Sequence, residues 1–130
     1  MQHISKLFKK YNFRDKPWLI IGKGPTFSDI KKQDISKYHT FALNHVVKEF
    51  DEVDIAHLID FNVFEVCQDD IYNKAKYLCL PINPHFNNKP SHKTLENLIK
   101  ENKILKKLSK EKRLFWYNHL QGKRLLSLSN

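Results

Sequence analysis

Four short apolar runs, separated by stretches of helical character, limit what this chain can fold into more than any other feature. The runs are "WLIIG" at 18–22, "HTFALNH" at 39–45, "VDIAHLID" at 53–60 and "KYLCLP" at 76–81. Each is a short apolar run, the first ended by glycine and the last stopped by Pro81, so each reads as a strand. Between them, residues 26–37 place Phe27 and Ile30 on one helical face, with Thr26 or Ser28 as cap, and residues 62–75 place Val63, Val66 and Cys67 at helical spacing. "ISKLFKKY" (4–11) predicts a short amphipathic helix. Alternating strands and helices predict an α/β fold with a mainly parallel sheet. The strands are nearly continuous apolar runs, as burial on both faces requires. The expectation is a Rossmann-like three-layer domain of about four parallel strands. The first three would be neighbours, and the fourth has no assigned place.

The C-terminal third reads as helical. Residues 82–90 form a loop by composition. From about 91 to 121, with Ser91 and Thr94 as candidate caps, Leu95, Leu98, Ile99, Ile104, Leu105 and Leu108 make an apolar stripe among lysines, and Gly122 is the expected stop. In "FWYNH" (115–119) the aromatic residues either pack on the core from a helix or stack a base; helical spacing of Phe115, Trp116 and Leu120 favours packing.

A chain of 130 residues suits one domain, 1–130, and its 41% hydrophobic content is enough for a core. No apolar run has the length of a membrane span or of a signal peptide. Cys67 and Cys79 stand in apolar surroundings, which predicts reduced core thiols and a cytoplasmic setting. The net charge of +9 is uneven: +4 over residues 1–16, −2 over 17–92 and +7 over 93–130. Basic ends can attract nucleic acid or an anionic membrane surface, including peripheral association at the inner membrane face. Lys100, Lys103, Lys106, Lys107, Lys110 and Lys112 read as spread around a helix, which favours a solvated surface.

The chain has three glycines, and two of them, Gly22 and Gly24, close the first strand in "IIGKGPT". In a doubly wound sheet, ligands bind beyond the carboxyl ends of the strands. Glycine there allows positive φ and close backbone approach, and amides at a helix start can hold a phosphate. Two nucleotide motifs do not fit. A Walker A loop needs G-x-x-x-x-G-K-[ST], whereas Lys23 precedes the second glycine; a dinucleotide fingerprint needs a third glycine where Phe27 stands, and an acidic residue where Asn44 ends the second strand. A plain tight turn is the competing reading.

With "IIGKGPT", "FALNH" and "HLIDFN" in this order, the chain resembles the bacterial sialyltransferases of glycosyltransferase family 42 and the related motility-accessory glycosylation proteins. These have a "GNGPS"-type loop after the first strand, an asparagine after the second, and an Asn or Asp after the third. The resemblance covers about residues 18–65, with general α/β similarity to about 81. Lys23 replaces the family's usual asparagine, and Thr26 its serine. Family members are about twice as long, and their catalytic histidine, paired tyrosines and sialic-acid-binding segment lie in a second half without counterpart here. The resemblance implies the N-terminal, nucleotide-binding half of a glycosyltransferase, with a CMP-sialic-acid type of donor, a glycan acceptor and no required cofactor. It implies nucleotide binding by Gly22, Lys23, Gly24, Pro25, Thr26, Asn44 and Asp60. Catalytic residues are not assigned.

Other constellations are weaker. Asp60 can hold a ribose hydroxyl or a diphosphate-bound metal, or Asp60 or Asn62 can simply cap the next helix. None of the seven histidines forms H-x-x-x-H, and neither cysteine lies in C-x-x-C, so no metal site is assigned. His45 and His57 lie nearest the expected pocket, His57 reading first as a core residue. There is no G-x-S-x-G and no Cys-His pair for nucleophilic catalysis. Three expectations stand: a sialyltransferase-like nucleotide-sugar-binding portion that does not catalyse alone; a basic nucleic-acid- or membrane-surface-binding module; or a structural relic with no ligand.

Overall fold

A computed structural model of the chain describes residues 1–11, 15–25 and 27–118. It is an α/β structure built on one parallel sheet of six strands, two more than the sequence predicts. In chain order the elements are β1 (Gln2–His3), α1 (Ile4–Phe8), β2 (Trp18–Ile21), α2 (Phe27–Lys31), β3 (His39–Leu43), β4 (Val53–His57), α3 (Phe61–Lys74), β5 (Ala75–Pro81), α4 (Leu95–Glu101), α5 (Lys103–Lys110) and β6 (Leu114–Tyr117). Short 3₁₀ turns at Ile35–Lys37 and Asn44–Glu49 lead into β3 and β4.

Across the sheet the order is β1-β6-β5-β4-β3-β2. The strand whose place the sequence leaves open, β5, lies beside the third expected strand, β4. From β2 to β6 every strand pairs with its successor. Right-handed crossovers that always step in one direction must all pass over one face. The packing agrees. Phe27 and Ile30 of α2, Val46 and Val47 of the turn after β3, Phe64 and Ile71 of α3, and Leu95, Leu105 and Leu108 of α4 and α5 all join one cluster with Ile21, Ala42, Ala56, Leu78 and Leu114 of the sheet. The second face carries the chain from β1, at one edge, to β2, at the other. There Leu7 of α1 packs with Ile55, Cys79 and Phe115, and Tyr11 sits over Trp18, His39 and Tyr77. One layer of helices is thus complete and the other is a partial cover.

The helical reading of 91–121 is corrected in two places. Asn102 breaks the helix: its backbone leaves the helical region, and its side chain accepts from the Leu105 N–H at 2.9 Å, starting α5 afresh. Thr94 caps α4, accepting from the Asn97 N–H, while Ser91 accepts from Lys93 outside any helix. Residues 114–117 are a strand. Phe115 joins the second-face cluster and Trp116 packs on the first, the alternation of a strand instead of a shared helical face. Arg113 explains why the chain turns here. Its guanidinium donates to the carbonyls of Tyr72 and Ala75, each at 2.7 Å, and lies 4.8 Å over the Tyr72 ring, covering the end of α3 and starting β6 beside β5. Leu120, His119 and Gly122 lie outside the described residues.

Both cysteines are free and buried. Burial pushes the Cys79 thiol up to about 12, so it stays protonated. Among the described residues no helix is long and apolar enough to cross a membrane. Lys103, Lys106, Lys107 and Lys110, expected to spread around a helix, instead share the exposed face of α5 opposite buried Leu105 and Leu108.

Candidate functional site

The first strand ends where the sequence places it, and Gly22 follows directly. Gly22 and Asn44 leave adjacent parallel strands, at one edge of the sheet, because Ile21 is in register with Ala42. The Gly24 N–H donates to the Gly22 carbonyl at 3.0 Å, and the Phe27 N–H to the Gly24 carbonyl at 3.1 Å, a pair of tight turns that hands the chain into α2. Of the two reasons expected for these glycines, positive φ is corrected, because neither has it. A side chain at 22 would lie 3.7 Å from Leu43 Cδ1, an ordinary contact, and one at 24 would meet nothing within 4 Å. Neither torsion nor packing within the chain demands glycine at 24.

Lys23 reaches toward Glu49 at 3.9 Å, and Lys31 of α2 reaches the same carboxylate at 2.9 Å. The Lys31 ammonium holds the Glu49 carboxyl below its usual range. These pairs tie the Gly22–Pro25 loop to the turn after β3, and exposure keeps them weak. Thr26 lies outside the described residues. Asn44 is exposed and takes φ of 53°, opening the 3₁₀ turn. Asparagine tolerates this left-handed conformation better than most residues, so its backbone alone accounts for it. His45 beside it is exposed.

Asp60 is different. It is 7% exposed, and both of its oxygens are engaged. Oδ1 accepts from the Asn62 N–H at 2.8 Å, capping α3, while Oδ2 accepts from the Asn88 N–H. Asn62 Oδ1 accepts from the Asn87 N–H at 2.7 Å. Asn87 and Asn88 have φ of 52° and 61°, and Phe86 and Lys89 exchange backbone hydrogen bonds around them. That is a tight hairpin of the type I′ kind. The segment after β4 therefore anchors the 85–89 hairpin, whose Phe86 ring packs 5.5 Å from Phe61.

The second face adds residues that the sequence reading passes over. Near the carboxyl ends of the strands, Phe41, His57 and Tyr117 form a row of near-parallel rings, with centroids 5.5 and 5.6 Å apart. Small Cys79, on the strand between β4 and β6, lets His57 and Tyr117 meet. The Tyr117 hydroxyl lies 2.8 Å from His57 Nε2. We assign the hydroxyl as donor, which puts the imidazole proton on Nδ1. Burial pushes the imidazole down to about 4 and the phenol up. Both groups are neutral near neutrality. The signal for Tyr117 lies in "FWYNH", whose alternation as a strand a helical period hides.

The strand order has a consequence for this end of the sheet. Between β2 and β6 it never reverses, so no switch-point crevice opens between their carboxyl ends. All their connections leave over the first face, while Leu7 of α1 and Tyr11 pack on the second. Among the described residues nothing covers the carboxyl half of the second face: Ile20 is 65% exposed, and Leu43, Phe41, His57 and Tyr117 are half-buried.

A cavity of about 430 Å³ lies at the opposite, amino end, lined by Asp34, Ser36, Thr40, Asp54 and Lys76 among others. Two of its carboxylates, Asp54 and Asp34, are held by hydrogen bonds within the chain. Asp54 Oδ2 accepts from the Thr40 N–H at 2.8 Å and Oγ1 at 3.1 Å, and Lys76 lies 3.4 Å from its other oxygen. Asp34 caps the turn at Ile35–Lys37. Among the described residues no group of three or more His, Cys, Asp or Glu side chains is arranged to hold a metal. Compared with protein-family models, curated proteins and solved structures, the chain matches none of them.

Proposed function

We propose that this Rossmann-like domain binds a nucleotide at the carboxyl ends of β2 and β3, as the donor-binding portion of a sialyltransferase-like glycosyltransferase. Its donor would be a cytidine nucleotide sugar. The observation that supports this most is Gly24, an exposed glycine at a parallel strand end, with ordinary φ and open space where a side chain would stand. In a chain with three glycines, one that the fold does not require is accounted for by a ligand that must approach the backbone. Lys23 supplies positive charge at the same place. Asn44 borders it. Asp60 holds the neighbouring hairpin and does not touch the nucleotide, since its oxygens are taken. No described residue is placed as a general base for an acceptor hydroxyl, so the isolated chain binds without transferring sugar.

Calorimetry with CMP tests this. Weak binding is expected, because an open half-site leaves much of the ligand in water. Gly24→Val should abolish it. The Gly24→Ala variant should unfold at the same temperature or slightly higher, since the space is free and the unfolded chain loses entropy. No heat with CMP at millimolar concentration, or unchanged binding by Gly24→Val, would refute the reading.

The lysine face of α5 favours a second reading, association with a polyanion. It predicts binding to DNA or to anionic vesicles that falls steeply with salt. Binding that ignores salt, or survives Lys106→Glu with Lys110→Glu, would exclude it.

A further inference from the structure

We infer that the open end of the ring row, above Ile20 and beside Phe41, is the seat of a nucleobase whose phosphate lies at the Gly22–Gly24 loop. This rests on the nucleotide reading above and adds where the base goes. The row Phe41–His57–Tyr117 is already a stack of near-parallel rings with spacings of 5.5 and 5.6 Å. The row runs diagonally across the sheet, and on β2 the residue in register with Phe41, its last ring, is Ile20. That place holds an aliphatic side chain, 65% exposed, the most exposed large hydrophobic residue among the described residues. A planar ring lying there would have Ile20 beneath it and Phe41 at its side, extending the stack by one.

Spacing selects the occupant. Strand residues two apart lie on the same face, about 6.6 Å along the strand. Gly22 therefore follows Ile20 on this face, and the position of a Cβ at 22, 3.7 Å from Leu43 Cδ1, agrees with that. A base on Ile20 puts the 5′-phosphate of the same nucleotide one ribose away, at Gly22 and Gly24. The missing side chain at 22 leaves the path between them clear, and Lys23 stands beyond. An apolar peptide would not use the glycines, and a bare phosphate would not use Ile20. A nucleotide uses both. The strand order supplies the room, because no connection between β2 and β6 crosses this face.

The test is a titration of the full chain, with labelled methyl and amide groups, followed by NMR. CMP and ribose 5-phosphate are the probes, with wild type, Ile20→Asn and Phe41→Leu. CMP should shift the Ile20 methyls together with the Gly22 and Gly24 amides, and should bind at least about tenfold more tightly than ribose 5-phosphate. Ile20→Asn should lose about that factor for CMP and nothing for ribose 5-phosphate. Phe41→Leu should weaken CMP in the same selective way. If CMP shifts the loop amides but not Ile20, or if Ile20→Asn binds CMP as wild type does, the base seat is refuted while the loop reading survives. If CMP at millimolar concentration shifts neither, both fall.

Discussion

His57 makes the stability of this fold depend on pH in a window where carboxylates contribute little. The imidazole stands between the Phe41 and Tyr117 rings, 2.8 Å from the Tyr117 hydroxyl, with Cys79 on the strand beside it. None of these groups carries charge at neutral pH, and burial pushes the imidazole from 6.5 down to about 4. The unfolded chain binds the proton more readily than the folded one. Stability is therefore constant above about pH 6.5 and falls as pH drops toward 4. Linkage gives a loss of about 2 kcal/mol at pH 5 and about 3 kcal/mol at pH 4 relative to neutrality. The first figure corresponds to a drop of roughly 6–10 °C in unfolding midpoint for a domain of this size.

The variant that isolates this effect is His57→Gln. It keeps an acceptor for the Tyr117 hydroxyl but cannot take a proton. Thermal unfolding of both proteins at pH 7, 6 and 5 should show the wild type losing those degrees while His57→Gln loses far fewer. Subtraction removes the other histidines, which both proteins share. The carboxylates that the fold holds below their usual range, Asp34, Glu49 and Glu111, act at lower pH, where they lose their stabilising charge as they protonate. Equal losses in the two proteins, or a His57 Cε1–H resonance titrating near 6.5, would refute the argument.

Two further outcomes follow from named contacts. Asp60→Ala should cost about 2–3 kcal/mol in chemical denaturation, because a helix cap is lost and the Asn88 N–H loses its acceptor; CMP affinity should hold, and a loss below tenfold in binding is the limit for a purely structural residue. Arg113→Met should cost about 2–3 kcal/mol, since the carbonyls at the end of α3 lose charge-assisted bonds, and Arg113→Lys should not restore it, because one ammonium cannot reproduce the fork onto Tyr72, Ala75 and Lys76; full recovery by lysine would contradict that geometry.

What could be read from the sequence was what depends on local pattern. β2, β3, β4 and β5 announce themselves as apolar runs with hard stops, and α3 by its spacing and its Asp60 cap. β6 was lost because "RLFWY" follows two helices that carry their period to within a few residues of it. What makes it a strand is distant: the hydrogen bonds of β5 and the Arg113 contacts with the end of α3. β1 was lost because two residues carry no period at all, and only pairing with β6 defines them. At the candidate site, the positions of Gly22, Gly24 and Asn44 were legible from strand ends, but their physics was not. The positive φ expected of the glycines belongs instead to Asn44.

That exchange bears on how the glycines are to be understood. A turn that needs φ above zero explains its own glycine, and no ligand need be invoked. Here the turn is made by Gly24 donating to Gly22 and by Phe27 donating to Gly24, with neither glycine at positive φ, and Asn44 takes the left-handed place on the next strand. A Cβ at 22 or 24 would meet no clash in this loop. The sheet adds the second half of the argument. Because each strand from β2 to β6 steps the same way, the connections crowd one face and leave Ile20, Phe41, Leu43 and the His57–Tyr117 pair looking out from the other. An exposed isoleucine alone is unremarkable, since folded surfaces are more than half apolar. An exposed isoleucine at the open end of a row of stacked rings, two residues before a glycine that the backbone does not need, is a more specific arrangement. It places an apolar seat and a bare stretch of backbone one nucleotide's length apart on the same strand.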